Sequence, residues 1–397
     1  MFEDLLEDIN TVTRYEKGDR LSPINNAYFP AAISKANFHP IPTISEALVL
    51  STKMCFIDGG STELLRAPNF SLFFIRIYAN IMLNKKTVDD KKIEFYCLAK
   101  TKIKEGKIFY DVNLLVDDMD KIQNNDKFNS IDDNKNSSNS KYLPAKEDLE
   151  LFSFDKTIVV GENRAEISKL GEVARRFAEL RLATVLIDEA NYLKSEDIII
   201  LDGNLRATYT NETKYLNELY KKAKPKNIII TGLCKTSNLL TEKGNNIINV
   251  LNHLALENDE DDKSKANSQT YQNSKTWYYY PIFDIQEPKH KAEMMFVKLN
   301  ASSEYIFRFE INKDQFNFSN IKDIEEVFTL LTKNSNDYSF PGYPYGLVKA
   351  DQMARISNQE KDFLRSKILF SMKNKKDFDN MKQCLNALNA HDVLDGK

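Results

Sequence analysis

The chain has 397 residues, 42% hydrophobic and 28% charged, with a formal net charge of −3. That is enough for one large domain or two ordinary ones with a sizeable core, and the slight negative charge excludes a surface coated in positive charge but not a local basic groove. No apolar run approaches the roughly 20 residues that cross a bilayer, the acidic first residues lack a signal-peptide pattern, and Cys55, Cys97, Cys234 and Cys384 have neither disulfide nor metal-ligand spacing, so a cytoplasmic protein with buried thiols and no membrane partner is expected.

Residues 1–20 carry Phe2, Leu5, Leu6 and Ile9 at helical spacing. Pro40 and Pro42 forbid helix at the end of the connection that follows, residues 21–42. Strands are expected over 54–58, 71–81, 92–99 and 107–115, with Glu105-Gly106 turning the last pair, as an antiparallel meander. Gly59-Gly60-Ser61 reads as a tight turn, which would leave Asp58 at the end of its strand. Residues 117–146 are mostly Asn, Asp, Ser and Lys and are expected to be a disordered insertion within the domain. A long helix is expected over 161–191, with Ile167, Leu170, Ala174 and Phe177 on one stripe and apolar residues nearly all round beyond Leu180.

The stretch from Asp197 to Gly203 repeats the first pattern, an apolar strand ending in Asp202-Gly203. A polar helix over 212–222 and a buried strand over 227–232 give a strand–helix–strand order that reads as parallel. After Leu233-Cys234-Lys235-Thr236-Ser237 comes a helix to Leu256, then a second polar insertion over 257–274. Strands over 276–283, 292–299 and 305–311 follow, and helices fill the remainder after Phe340-Pro341-Gly342-Tyr343-Pro344-Tyr345.

Antiparallel strands, a helix and then parallel strands is the ribonuclease H-like order. The expected class is α/β, a ribonuclease H-like mixed sheet flanked by helices, with extra C-terminal strands and helices. The expected division is an N-terminal helix and connection (1–45), a main domain (46–357) and a helical extension (358–397). Two strand-end aspartates far apart in sequence, Asp58 and Asp202, suggest a sheet that presents carboxylates side by side to a metal ion. Either Asp-Gly pair alone is also ordinary turn chemistry.

Further motifs extend the series. They are Arg76 on the second strand, Arg175-Arg176-Phe177-Ala178-Glu179, Ile200-Leu201-Asp202-Gly203-Asn204-Leu205, Thr231-Gly232-Leu233-Cys234-Lys235-Thr236-Ser237, Phe307-Arg308-Phe309-Glu310, and Gly342-Tyr343-Pro344-Tyr345-Gly346-Leu347 with Ala350-Asp351. In this order, over roughly residues 50–356, they resemble the NurA family of nucleases. The resemblance implies manganese-dependent DNA hydrolysis (Mn2+ or Mg2+, two ions), as a 5′–3′ exonuclease on single- and double-stranded DNA and an endonuclease on single strands. It also implies a homodimer that works with a hexameric HerA-type ATPase in end resection and repair. By similarity the metal ligands are Asp58, Glu179, Asp202 and Asp351, and Lys235 joins them as a catalytic residue. The family commonly has histidine near Ala350-Asp351; this chain has none there.

Read as residues alone, these positions keep their alternatives. Glu179 follows Arg175 and Arg176 at ion-pair spacing, and Glu172 and Glu189 lie on the same helix. Lys235 can meet a scissile phosphate or be a solvated loop lysine. Lys221, Lys222, Lys224 and Lys226 can track DNA phosphates or be a solvated helix end. Tyr343 and Tyr345 can stack on unpaired bases or pack a turn. Lys349 or Gln352 can face the site in place of Asp351. His39, His253, His290 and His391 show no partner pattern, and Gly59-Gly60-Ser61 lacks the lysine and spacing of a phosphate loop, so no nucleotide site is expected. Two other functions stay open: a catalytically weakened relative that binds DNA or docks an ATPase, and another ribonuclease H-like enzyme acting on junctions or RNA–DNA hybrids.

Overall fold

The structure is a computed structural model, and it describes residues 2–3, 5–7, 20–22, 29–42, 51–116, 140–189, 191–263, 276–285, 291–315, 322–338 and 340–372. Residues 117–139, 264–275 and 373–397, with Cys384, His290 and His391, lie outside that set, as does most of the expected N-terminal helix beyond its helical residues 2–3 and 5–7.

Two short strands, β1 (Phe29–Pro30) and β2 (Phe38–Pro40), precede a meander of long ones: β3 (Lys53–Ala67), β4 (Phe70–Leu83), β5 (Lys86–Lys104) and β6 (Lys107–Val116). The strands are longer than the sequence suggested because the hairpin turns are minimal. Asn84 and Lys85, then Glu105 and Gly106, all take positive φ, the twist that joins antiparallel strands through two residues. A short strand β7 (Leu151–Phe152) edges the sheet. Then come helix α1 (Lys169–Asp188), β8 (Ile198–Asp202), α2 (Glu212–Ala223), β9 (Ile229–Cys234) and α3 (Ile247–Lys263). The chain continues with β10 (Trp277–Tyr279), β11 (Phe283–Ile285), β12 (Ala292–Lys298), β13 (Phe307–Asn312), α4 (Lys322–Asn334), α5 (Tyr345–Ala354) and α6 (Asn358–Met372).

Eleven strands form one sheet in the order β2-β10-β12-β13-β9-β8-β3-β4-β5-β6-β7. β8 is parallel to both β3 and β9; the meander, and β9 with β13, are antiparallel. The central run β5-β4-β3-β8-β9 is the ribonuclease H-like order expected from the sequence. One face is covered by α1 and α2, which bury Phe177, Leu180, Leu186 and Leu219 against Ile57, Ile75, Ile77 and Ile199. The other is covered by α4 and α5, which bury Phe328, Leu331, Leu347 and Ala350 against Phe56, Ile200 and Phe309.

Several expectations are corrected. Gly59-Gly60-Ser61 is not a turn: β3 runs through it in register with β4 as far as Glu63 and, past a bulge at Leu64, on to Ala67, and Pro68-Asn69 makes the turn. Asp58 is therefore mid-strand. The glycines are there because other groups come close, as the site below shows. The long helix begins at Lys169 rather than 161, because Gly161 is left-handed and the Ala165 N–H is committed to Ser153 O. The first insertion is over by Ser140: Tyr142 is buried and its hydroxyl donates to Glu189. The helix expected to end at Leu256 runs to Lys263. The strand expected over 276–283 is broken at Tyr280-Pro281, where proline has no N–H for the ladder. Residues 38–40, read as connection, pair with β10 at the far edge of the sheet.

Candidate metal centre

β3 and β8 lie side by side and parallel, and residues 54–57 pair with 198–201. Asp58 and Asp202 follow at the next position of each strand, on the face that α5 covers. α5 crosses β3 and β4 there and adds Asp351. One carboxylate oxygen from each of Asp58, Asp202 and Asp351 lies within 4.8 Å of the other two. Asp58 is buried and the other two are half-buried. Three hard oxygen donors from three separate elements fit a divalent cation such as Mn2+ or Mg2+.

Lys235, the first residue past β9, reaches the same cluster. Its ammonium donates to Asp202 Oδ2 at 2.7 Å and to Asp351 Oδ1 at 3.3 Å. Burial works against the charge on Lys235, but Asp202, Asp351 and Asp58 outweigh it and raise its pKa. Asp351 is bracketed on its other oxygen by Arg355, whose Nη2 donates to Oδ2 at 2.5 Å. Asp58 is strongly perturbed. Burial first, then the charges of Asp202 and Glu179, push it up to about 8, against the opposing hydrogen bond from the Gly59 N–H and the charge of Lys235. A cation bound beside Asp58 would favour its ionised form against that burial and those charges.

Glu179 is not brought into this set. It is 2% exposed and held by Arg175 Nη1 at 2.5 Å and Arg176 Nη1 at 3.6 Å. It meets the sheet at Gly59, on the face opposite Asp58 by strand alternation. A Cβ at Gly59 would lie 2.6 Å from Glu179 Oε1, so the glycine makes room for this acid. Burial raises the pKa of Glu179 and both arginines oppose it. Glu172 is exposed and pairs with Lys169, and Glu189 pairs with Lys141 and Tyr142, so neither alternative approaches the aspartates.

The loop after Asp202 is tied from both sides. Arg176 donates to Asn204 O at 2.7 Å and to Glu212 at 2.8 Å, and the Leu205 N–H donates to the buried Glu310 at 2.8 Å. Tyr343 reads in the sequence as a base-stacking or turn-packing residue, not as a neighbour of the aspartates. It is fully buried, so it offers no face to a base; its ring packs on Phe307 and Phe340, and Lys235 lies over it. Its hydroxyl sits beside Asp202 without a well-formed hydrogen-bond partner among the described residues, and burial together with the aspartate charges raises its pKa. Its only signal in the sequence was its place in Gly342-Tyr343-Pro344. Arg355 was missed; its signal was the four-residue spacing from Asp351.

The remaining candidates lie elsewhere. Lys222 pairs with Asp188 and Lys226 caps Ile187 O, a solvated helix end. Lys349 donates to Thr87 and Gln352 is exposed. His39 bonds Tyr280 O. Burial pushes the Cys97 thiol up to about 12 and raises Cys55 as well, so neither offers a thiolate.

A family model for the NurA domain matches residues 52–356. The chain belongs to the NurA domain family. The match begins just before β3 and ends just past α5, so it contains all three clustered aspartates and Lys235. Membership in the NurA family supports a nuclease, and with the acidic cluster it supports use of a divalent metal. No curated protein matches the chain. Among solved structures, the catalytic domain of human Endonuclease V is similar at 10% identity and a TM-score of 0.30, over 83% of this chain and 92% of that one. Clostridium butyricum Argonaute, bound to a guide DNA and a 19-mer target DNA, is similar at 11% identity and a TM-score of 0.27, over 77% of this chain and 27% of that one. Neither likeness is high enough to bear on what the chain does. Among the described residues, no helix is long and apolar enough to cross a membrane.

Proposed function

We propose that the protein is a manganese- or magnesium-dependent deoxyribonuclease that processes DNA ends in repair and homologous recombination. The proposed activities are a 5′–3′ exonuclease on single- and double-stranded DNA and an endonuclease on single strands. The observation that carries the reading is the convergence of Asp58, Asp202 and Asp351 from β3, β8 and α5. Asp58, Asp202 and Asp351 would hold the cation, with Glu179 behind them at Gly59. A cation bound there supplies Lewis-acid stabilisation of the attacking and leaving oxygens of a phosphodiester.

The rest of the chemistry belongs to side chains of this chain. Hydrolysis forms one bond from a water oxygen to phosphorus and breaks the ester bond to the leaving oxygen, which takes up a proton. Lys235, half-exposed at the rim, brings positive charge to the extra negative charge that develops on the phosphate. Tyr343 sets a hydroxyl against Asp202 from the dry side of the site. Arg355, exposed beside Asp351, can follow the backbone of the strand that enters.

A homodimer, a hexameric HerA-type ATPase as partner and a cytoplasmic setting complete the proposal, as the resemblance to the NurA family implies. End-labelled single- and double-stranded DNA, incubated with Mn2+, Mg2+ or EDTA, tests it. Cutting is expected with either metal and none with chelator, and Asp58→Asn or Asp202→Asn should abolish it while the protein stays folded. Cutting confined to junctions or RNA–DNA hybrids would support the other ribonuclease H-like enzyme, and DNA binding without cutting the weakened relative.

A further inference from the structure

We infer that Arg76 is a positioning residue for the metal centre: from the middle of the sheet it clamps the last turn of α5 and so holds Asp351 beside Asp58 and Asp202. The inference rests on the metal-centre reading above.

α5 has only ten residues, and its two ends are seated separately on β3 and β4. At the first end, Gly346 lies flat on the Phe56 ring, and the Gly346 N–H donates to Asn334 Oδ1 at 2.9 Å. At the other end, the Ala354 carbonyl rests against Gly60, where any Cβ would collide with it. Asp351 lies in this last turn, and its own carbonyl accepts the Arg355 N–H at 2.9 Å. The helix stops there, so the last carbonyls lack helical partners and must find others.

Arg76 supplies one. It stands directly opposite Gly60 in the β3–β4 register, with its side chain 11% exposed. Its Nη1 donates to Arg355 O at 3.1 Å. The same guanidinium donates to Glu94 on β5 through Nε at 2.5 Å, and to both oxygens of Glu360 on α6 at 2.5 and 3.2 Å. The bond from Nε to Glu94, on the neighbouring strand, fixes the plane of the guanidinium, and the plane aims Nη1 at the helix end. A cation there is also favoured by the helix dipole. A lysine has one nitrogen in place of this fork and cannot hold both acids and the carbonyl at once.

The first turn of α5 keeps its own seat on Phe56 and Asn334 without Arg76. Loss of the clamp therefore frees the end that carries Asp351 and leaves the core under α5 in place. The expected signature is a defect in metal affinity rather than in global stability. Partners that orient a metal ligand typically change affinity about 10–100-fold.

The test is manganese binding by titration calorimetry without DNA, beside melting temperature in EDTA and the manganese dependence of cutting. Arg76→Met and Arg76→Lys should each weaken manganese binding at least tenfold, with cutting largely restored at saturating metal. Glu360→Gln, which loosens α6 but leaves the bond to Arg355 O, should bind manganese nearly as the parent does. Arg76→Met combined with Asp351→Ala should bind no more weakly than Asp351→Ala alone, because both act through one ligand. If Arg76→Met does not fold, Arg76→Lys and the Glu360→Gln control carry the comparison. A parent that binds manganese while the Arg76 variants bind it equally well overturns the inference alone, and so does full additivity with Asp351→Ala. An affinity loss in Glu360→Gln as large as in Arg76→Met also overturns it, since α6 would then be the element that matters. A parent that binds no manganese overturns the metal-centre reading itself.

Discussion

The ammonium of Lys235 lies 2.7 Å from Asp202 Oδ2, a direct ion pair at the point where β8 and β9 end side by side. The same nitrogen is 3.3 Å from Asp351, so one side chain ties two of the three clustered carboxylates. A divalent cation would contest those oxygens with it.

That competition separates two roles for Lys235. Lys235→Met removes the competing charge, so manganese should bind at least as tightly as in the parent. Turnover should still fall, by about 10²-fold, if the ammonium stabilises charge on the phosphate as the bond breaks. Calorimetry and saturating-metal kinetics read the two effects independently. Weaker manganese binding with unchanged turnover would make Lys235 a tether for the carboxylates and nothing more.

Asp58 gives a pH prediction with a definite sign. Its carboxyl is pushed from the ordinary range, near 4, up to about 8 in the fold. Between those values the folded protein holds a proton that the unfolded chain has lost. Stability in EDTA should therefore fall as pH rises from about 4 to about 8. Asp58→Asn, which cannot ionise, should flatten that slope, and added manganese should reverse it by favouring the ionised form. Melting temperatures across this range check it; an identical slope in parent and variant would mean that Asp58 titrates as an ordinary surface acid.

Gly60→Ala should disable the site without touching a ligand. The new methyl would meet the backbone oxygen of Ala354, which cannot rotate aside as a side chain could. α5 must lift or β3 must bend, at a cost of about 1–3 kcal/mol. The melting temperature should drop, and the manganese-induced rise should shrink because Asp351 moves with α5. A variant with the parent's metal response would show that the helix end has slack.

The same glycines mark where the sequence could be read and where it could not. Apolar runs closed by Asp58 and by Asp202 were visible locally, and both residues reached the site. Gly59-Gly60 looked like a turn because a double glycine after a strand normally is one. Its reason lies in Glu179 and Ala354, more than a hundred residues away, and no local pattern announces a contact of that range. Tyr343 was legible as a turn residue and illegible as a site residue for the same reason: its neighbours in space, Asp202 and Lys235, come from strands formed far earlier in the chain. The central strand order followed from the alternation of periodicities. The inward face of Glu179 was legible too, from Leu182, Ala183 and Leu186 at helical spacing; that it meets Gly59 on the side of the sheet away from Asp58 was not, since only the packing of α1 on β3 decides it.

Asp351 carries the last prediction. It stands where the resemblance implied a histidine, and it brings a third negative charge into a cluster that already holds Asp58 and Asp202. Lys235 and Arg355 offset that charge, one on each carboxylate oxygen. A cation bound among the three acids relieves their repulsion and stabilises only the folded state, so manganese should raise the melting temperature with its concentration. Asp351→Ala should blunt that rise and weaken cutting at limiting metal. Asp351→His should keep a ligand and retain cutting, but with a steeper fall below about pH 6.5, where an unperturbed imidazole takes a proton and stops ligating. Asp351→Asn is the sharpest variant: it keeps shape and one oxygen but removes the charge, so manganese affinity should fall while stability in EDTA rises or holds. If Asp351→Ala instead cuts DNA and responds to manganese as the parent does, the cation sits between Asp58 and Asp202 alone, and Asp351 serves only to hold Lys235 and Arg355 at the rim.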